Sequence, residues 1–352
     1  MNENLIGEKK YEQVYGNTFE LYDKKTMLEF MEPYAVRFKR NHLNPSEIFK
    51  GKKCFDAGCG NGRGSLFMLL NGAKHVTAFD YSSKNIKTTK AFAEEFNFSN
   101  IDVLQGSLEN IPFDDESYDF VWCNGVIMHT AHPDRTISEI SRILKPGGKC
   151  WLYIYGAGGV YWRIIYKFRK IMKDIDIDKC IATLKVYRYS TRYVAEYIDD
   201  WFASFLRTYT HNDVSEKLES LGFDSPELLK YGMDYDTSHR LNVFKSESER
   251  KLMGEGDLRY FLTKSHKGET SAFQLAENET GSDYAWDDAY FSPLDNLLNK
   301  IEKISKDREW LKIAICAHIQ RDLRILLNET EVFKLEQIMQ VIEEIITNAQ
   351  KI

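Results

Sequence analysis

The stretch Lys52-Lys53-Cys54-Phe55-Asp56-Ala57-Gly58-Cys59-Gly60-Asn61-Gly62-Arg63-Gly64 carries the most information about this chain. A short apolar run enters an Asp, glycine then stands at every second position, and a helix-like run follows from Ser65 to Leu70. Glycine has no Cβ, so backbone N–H groups of such a turn can approach a ligand closely. The start of the next helix adds unsatisfied donors and a partial positive charge. Strand, glycine turn and helix in that order place a polar or anionic small molecule at the carboxyl end of a parallel strand.

The glycine spacing narrows the ligand. A dinucleotide fingerprint needs G-x-G-x-x-G. Counted from Gly58, its third glycine would fall at Arg63; counted from Gly60, at Ser65. The Gly-Lys-Ser/Thr of a phosphate-binding loop is absent from this stretch. What stands instead is Asp-x-Gly-x-Gly-x-Gly, at Asp56, Gly58, Gly60 and Gly62, which resembles the first motif of class I S-adenosylmethionine-dependent methyltransferases.

The downstream residues extend the pattern. His75 to Asp80 reads as a second strand ending in an acid, 18 residues after Gly62. A βαβ nucleotide site places its ribose-binding carboxylate near that distance, because an acid accepts from two vicinal hydroxyls. Asp80 can equally cap the helix that begins at Ser82. Ile101 to Gly106, Tyr118 to Asn124 and Lys149 to Tyr155 read as three more strands, and Pro133 to Leu144 as a helix stopped by Lys145-Pro146-Gly147-Gly148. Strands alternating with helices predict an α/β fold with a doubly wound, mostly parallel, Rossmann-like sheet.

The run from about 50 to 156 is similar to the methyltransferase type 11 family, which includes quinone-biosynthesis methylases. The Leu144-Lys145-Pro146-Gly147-Gly148 turn and Ile111-Pro112-Phe113 before an acidic turn carry that resemblance, which continues more weakly to about residue 245. The resemblance implies a seven-stranded sheet and S-adenosylmethionine as cofactor. It places Asp56, Gly58, Gly60 and Gly62 around the methionine part, Asp80 with the adjacent Tyr81 at the ribose, and Asn124 and Gly125 near the amino group. Ser107 and Leu108 would lie along the adenine; many relatives carry an Asp where this chain has Ser107. His129, in a His-Thr pair common at this place, is the candidate catalytic base, and an unperturbed imidazole pKa near about 6.5 suits that work. A capping or packing histidine is the alternative.

Composition agrees with an enzyme-sized globular chain. At 352 residues and 43% apolar content, it can bury a full domain and leave material over. A net charge of -6 argues against bulk binding to nucleic acid. The six cysteines form no C-x-x-C pair, which reads as buried thiols in a reducing compartment. No metal-ligand cluster is visible. The polar start Met1-Asn2-Glu3-Asn4 is unlike a signal peptide, and no apolar run is long enough for a membrane span, so a cytoplasmic location is expected.

Around the methyltransferase-like part, residues 51–245, three further regions are expected. Residues 1–50 form an N-terminal helical cap, where Tyr11, Tyr15, Phe19 and Tyr22 keep helical spacing. In the resembling family this segment often closes over the cofactor. A lid-like insertion is expected at about 157–208. It opens on Gly156-Ala157-Gly158-Gly159 and continues into the basic amphipathic run 160–173, which can lie on an anionic membrane or close over a substrate. Residues 246–292 read as a polar linker. Residues 293–352 read as a C-terminal helical region whose apolar stripes could cap the sheet, pair with a second copy or reach the pocket.

The expected function is methyl transfer to an O, N or C nucleophile of a small acceptor. The aromatic residues of the insertion favour an apolar or ring-containing one. Tyr11, Tyr15, Tyr155 and Tyr161 are candidates for the substrate pocket. A methyltransferase acting on a protein or glycan and a non-catalytic cofactor-binding scaffold are the alternatives.

Overall fold

The computed structural model describes residues 10–19, 22–237, 239–240, 247–265, 273–304, 306–329, 334–349 and 351. Six strands make one sheet: β1 (Lys53–Ala57), β2 (His75–Asp80), β3 (Ile101–Gln105), β4 (Tyr118–Asn124), β5 (Leu144–Tyr155) and β6 (Asp257–Thr263). Their order is β3-β2-β1-β4-β5-β6, with β6 alone antiparallel. The helices are α1 (Lys24–Arg40), α2 (Pro45–Phe49), α3 (Arg63–Leu70), α4 (Ser83–Glu95), α5 (Pro133–Ile143), α6 (Gly159–Met172), α7 (Ile177–Val186), α8 (Thr191–Phe202), α9 (His211–Ser220), α10 (Glu247–Met253), α11 (Asp288–Glu302), α12 (Glu309–Glu329) and α13 (Leu335–Ala349).

The chain runs β1, β2, β3 outward, then returns to lay β4 on the other side of β1. That reversal makes the carboxyl ends of β1 and β4 the switch point where α/β sheets bind ligands. Asp56 pairs in register with Trp122, so the ends of the two strands lie side by side. Strand β1 is buried from Cys54 onward, as a central parallel strand covered on both faces should be.

Helices cover both faces. On one, α1 packs against a ladder of rings in which Phe38 stacks on Trp151 at 4.9 Å and Trp151 on Trp122 at 5.3 Å. On the other, Phe55, Phe79, Ile137, Leu152 and Tyr209 share a core. Local caps agree with the sequence. Ser82 accepts from the Asn85 N–H at the start of α4, and Thr210 accepts from the Asp213 N–H at the start of α9.

The sheet departs from expectation at its antiparallel edge. The sequence offers Pro226 to Tyr231 and Arg240 to Lys245 as closing strands; the first contributes one isolated bridge, Leu228 with Tyr260, while Arg240 is helical and residues 241–245 lie outside the described residues. The edge is instead β6, inside the segment expected to be a polar linker. Its alternation explains the outcome: Leu258, Tyr260 and Leu262 are buried against the core, between the turn glycines Gly254 and Gly256 and the end of the strand. The described sheet therefore has six strands rather than seven.

The insertion and the C-terminal helices form one body. Residues from α6, α7, α8, α11, α12 and α13 share a single hydrophobic core, including Ile164, Phe168, Leu184, Trp201, Leu298 and Ile342. The apolar face of the basic run 160–173 is consumed there, because Val160, Ile164, Ile165 and Phe168 are fully buried. Three of its cations are also engaged: Arg163 pairs with Asp288 and Asp295, Lys167 with Glu302, and Arg169 donates to the carbonyls of Asp200 and Ala203. That face is not free to lie on a membrane, and the apolar stripes of α11 to α13 pack inside the chain. No described helix is long and apolar enough to cross a membrane.

Candidate active site

A cavity of about 640 Å³ opens at the switch point. Its floor is the glycine turn after β1. Gly58 has φ +71°, and a Cβ there would lie 2.6 Å from Val126 Cγ1; Gly60 has φ +56°, and a Cβ there would lie 2.9 Å from the Phe19 ring. Larger residues at these positions would be strained and would fill the cradle.

Two carboxylates face the cavity from the strand ends. Asp56, ending β1, is buried, and its Oδ2 accepts from the Ser65 hydroxyl at 2.6 Å. Burial pushes its carboxyl up to about 7. Asp80, ending β2, accepts from the Gly60 and Ser82 N–H groups at 2.8 and 2.9 Å and from Asn85 Nδ2 at 3.1 Å. Burial also raises Asp80. Its Oδ2 takes one donor, the Gly60 N–H, which leaves acceptor capacity for a ligand hydroxyl.

The N-terminal segment closes this end. Glu12 Oε1 accepts from the Ser83 N–H and Oε2 from the Ser82 hydroxyl, both at 2.7 Å, so a carboxylate caps the start of α4. Tyr11 and Tyr15 follow on the same segment, line the cavity and pack at 4.6 Å between ring centroids. Burial, with Asp80 second, raises the Tyr11 hydroxyl well above its usual range.

The opposite wall comes from β4, β5 and the insertion. Asn124 and Gly125 line it at the end of β4, with Asn124 Oδ1 accepting from Trp151 Nε1 at 3.0 Å. His129 follows on a short 3₁₀ turn and is 9% exposed. Its Nδ1 lies 2.8 Å from the Phe205 carbonyl, so Nδ1 carries the hydrogen and the neutral ring presents Nε2 as an acceptor. Nε2 has no hydrogen-bond partner, and neither does Asp199 Oδ1, 3.8 Å away on α8. The rings of Tyr15 and Tyr155 stand 5.7 and 5.4 Å from the imidazole, and the buried Tyr15 hydroxyl is also unpartnered.

The cavity thus gathers Asp56, Gly58, Gly60, Asp80, Asn124, Gly125, His129, Tyr11, Tyr15 and Tyr155. Five other candidates stand outside its wall. Tyr81 is 40% exposed and meets the Tyr11 ring edge-on at 5.5 Å. Ser107 accepts from the Glu109 N–H, and Leu108 is in the sheet core. Tyr161 faces the helical body: its hydroxyl donates to Asp200 Oδ2 at 2.6 Å and accepts from Gln320 and Arg324. Gly62, also outside the wall, caps α3 with φ +87°.

Sequence reading missed the part of the wall made by Arg192, Glu196 and Asp199 of α8. The signal was Arg192, Glu196 and Asp199, at spacings of four and three residues, sharing one face of a helix whose Val194, Tyr197, Ile198 and Trp201 are buried. It also missed Arg37 and Arg259, which line the cavity and bracket the buried Asp236. Burial opposes ionisation of Asp236, but Arg259 and Arg37 together hold it at about 2.

Residues 55–152 match the family model described as "Methyltransferase domain". The tRNA U34 carboxymethyltransferase of Campylobacter curvus is 36% identical over 115 residues, 32% of this chain and 38% of that protein. The demethylmenaquinone methyltransferase of Listeria welshimeri is 24% identical over 144 residues, 40% of this chain and 61% of that protein. The structure of 1,6-didemethyltoxoflavin-N1-methyltransferase from Burkholderia thailandensis, with bound S-adenosylhomocysteine, superposes on 75% of this chain and 89% of its own, at 13% identity and a TM-score of 0.43. The chain spans about two-fifths to three-fifths of the length of the two curated relatives. The glycine cradle and the strand-end acids fit the cofactor of that class, S-adenosylmethionine. The match to the family model places a methyltransferase domain, of the S-adenosylmethionine-dependent class I kind, at residues 55–152 of the chain.

Proposed function

We propose that this chain transfers the methyl group of S-adenosylmethionine to a proton-bearing nucleophile, a hydroxyl or amine, on a small ring-containing acceptor. The observation that carries this reading is the convergence of three buried, unpartnered polar atoms on one wall of the cofactor cavity: His129 Nε2, Asp199 Oδ1 and Tyr15 Oη. Buried polar groups left without partners inside a protein are costly, and a ligand that donates hydrogen bonds would satisfy them. Tyr15 and Tyr155 on either side of the imidazole favour a ring in the same place.

Asp56 and the glycine turn would hold the amino-acid end of the cofactor, and Asp80 the ribose. When bound, S-adenosylmethionine supplies an electrophilic methyl whose bonding electron pair leaves with sulfur. His129 Nε2 takes the O–H or N–H proton of the acceptor as its lone pair forms the new bond to carbon. The Phe205 carbonyl fixes the tautomer by accepting from Nδ1. Asp199 faces the imidazolium that results. Burial of His129 and of the facing polar atoms limits water at the reacting centre, which strengthens alignment and charge there.

The test is transfer of a labelled methyl group to a metabolite extract passed through a small-molecule filter. Label should appear in a small product, and His129→Gln should lower the rate at least tenfold, a general base being worth about 10²–10⁴, while cofactor affinity stays unchanged. Label retained only on protein, glycan or RNA would contradict the small acceptor, and an unaltered rate in His129→Gln would remove the base.

A further inference from the structure

Four arginines line the cavity, and they divide into two kinds. Arg37 and Arg259 are committed to Asp236, Arg37 through two bonds of 2.6 and 2.7 Å and Arg259 at 3.7 Å. Arg63 and Arg192 make no hydrogen bond or ion pair among the described residues; their close neighbours are rings. Both guanidinium groups lie over the ring of Phe30, at 5.3 Å for Arg63 and 5.6 Å for Arg192. Arg63 is the first residue of α3, directly after the glycine turn, whereas Arg192 comes from α8 and stands exposed at the cavity rim. Two cations from distant parts of the chain are held beside one ring by π contacts, with their hydrogen-bonding edges uncommitted.

The surrounding acids make no hydrogen bond to them; Asp56 acts on Arg63, and Glu196 on Arg192, through charge alone. Glu196 pairs with Arg324 at 2.5 Å, Glu29 lies 3.8 Å from Lys25, and Asp56 takes the Ser65 hydroxyl. A guanidinium presents donors in a planar fork that matches a carboxylate. A zwitterion needs both an acid and a cation, and Asp56 and Arg63 stand together on either side of the glycine turn.

We propose that Arg63 and Arg192 clamp one carboxylate, that of the amino-acid end of the bound cofactor, so that helix α8 of the insertion is part of the cofactor site. The inference rests on the cofactor reading above. It assigns to the insertion a role in holding the methyl donor as well as in walling the acceptor. Because α8 shares its core with α12, the same contact ties the helical body to the cofactor.

The test is calorimetric titration of the full chain with S-adenosylhomocysteine and with 5′-methylthioadenosine, which lacks the amino-acid end. Arg192→Gln should weaken S-adenosylhomocysteine about tenfold to a hundredfold, the range of a charge-assisted hydrogen bond, and leave 5′-methylthioadenosine unchanged. Arg192→Lys should fall between. Because Arg192 is exposed, the variant should keep its fold, checked by an unaltered melting temperature without ligand. Equal affinity of wild type and Arg192→Gln for S-adenosylhomocysteine would overturn the clamp and leave Arg192 to an anionic acceptor. Equal weakening of both probes would overturn it as well. Absence of any binding by the wild type would instead bring down the cofactor reading, and the clamp with it.

Discussion

Asp56 shows how a single buried residue sets a pH dependence. Its carboxyl protonates near about 7 in the folded chain, against about 3.9 for an unperturbed Asp. The native state therefore holds a proton that the unfolded state has lost across that window. Stability from this group is greatest at acid pH and falls as pH rises from about 4 toward 7. A ligand ammonium favours the ionised form, so its binding should release the proton. The affinity for S-adenosylhomocysteine should then tighten about tenfold between pH 6 and pH 8, as the ionised fraction of a group titrating near 7 rises about tenfold. Asp56→Asn should bind more weakly with a flat profile. A sloping profile in Asp56→Asn would assign the effect elsewhere. Asp200 is also raised to about 7 by burial, but it lies off the cavity, against Tyr161 and Gln320. At this scale the sequence was readable where chemistry dictates spacing: Asp56, the glycines and Asp80 stand where a strand-turn-helix site needs them. Asp199 and Arg192 were not readable, because nothing local says that an insertion helix turns those side chains toward a cavity built more than a hundred residues earlier in the chain.

Among the elements, α8 joins the two halves of the molecule. One edge lines the cavity with Arg192, Glu196 and Asp199, and the other is locked to α12 through Gln320. Gln320 is fully buried; it accepts from Trp201 Nε1 at 2.7 Å and donates to Asp200 Oδ2 at 2.7 Å and to the Tyr161 hydroxyl at 3.0 Å. Gln320→Ala would leave Trp201 Nε1 without its acceptor and remove one donor each from Asp200 and Tyr161, which still hold each other, at a cost of about 1–3 kcal/mol. Urea unfolding monitored by tryptophan fluorescence should show that loss, and an unchanged midpoint would mean the network is dispensable. The five parallel strands were legible from alternating apolar runs and turn residues. Strand β6 was not, because its apolar alternation is only Leu258, Tyr260 and Leu262 inside a polar segment, and its other face carries the buried Arg259, whose partners Asp236 and Asp257 are seen only in the fold. The basic helix α6 misled for a related reason. An amphipathic pattern reports a buried face and a charged face, while the identity of the covering surface is a long-range fact that only the acids of α11 supply.

For the whole molecule, the sheet brings a cofactor-type cleft to its switch point, the N-terminal segment closes one side through Glu12, and the helical body closes the other through α8. The methyltransferase domain matched by family comparison covers residues 55–152, yet most of the acceptor wall lies outside it, on Tyr15, Tyr155 and Asp199. The family resemblance therefore reaches the cofactor further than it reaches the acceptor. The central claim is that this cleft holds S-adenosylmethionine with Asp80 on the ribose. It is tested most directly by titrating S-adenosylmethionine into the wild type and into Asp80→Ala by calorimetry. The account predicts saturable binding in the wild type, weakened at least tenfold in the variant, as expected for loss of hydrogen bonds to a charged group. No binding in the wild type, or equal binding in both, would contradict it.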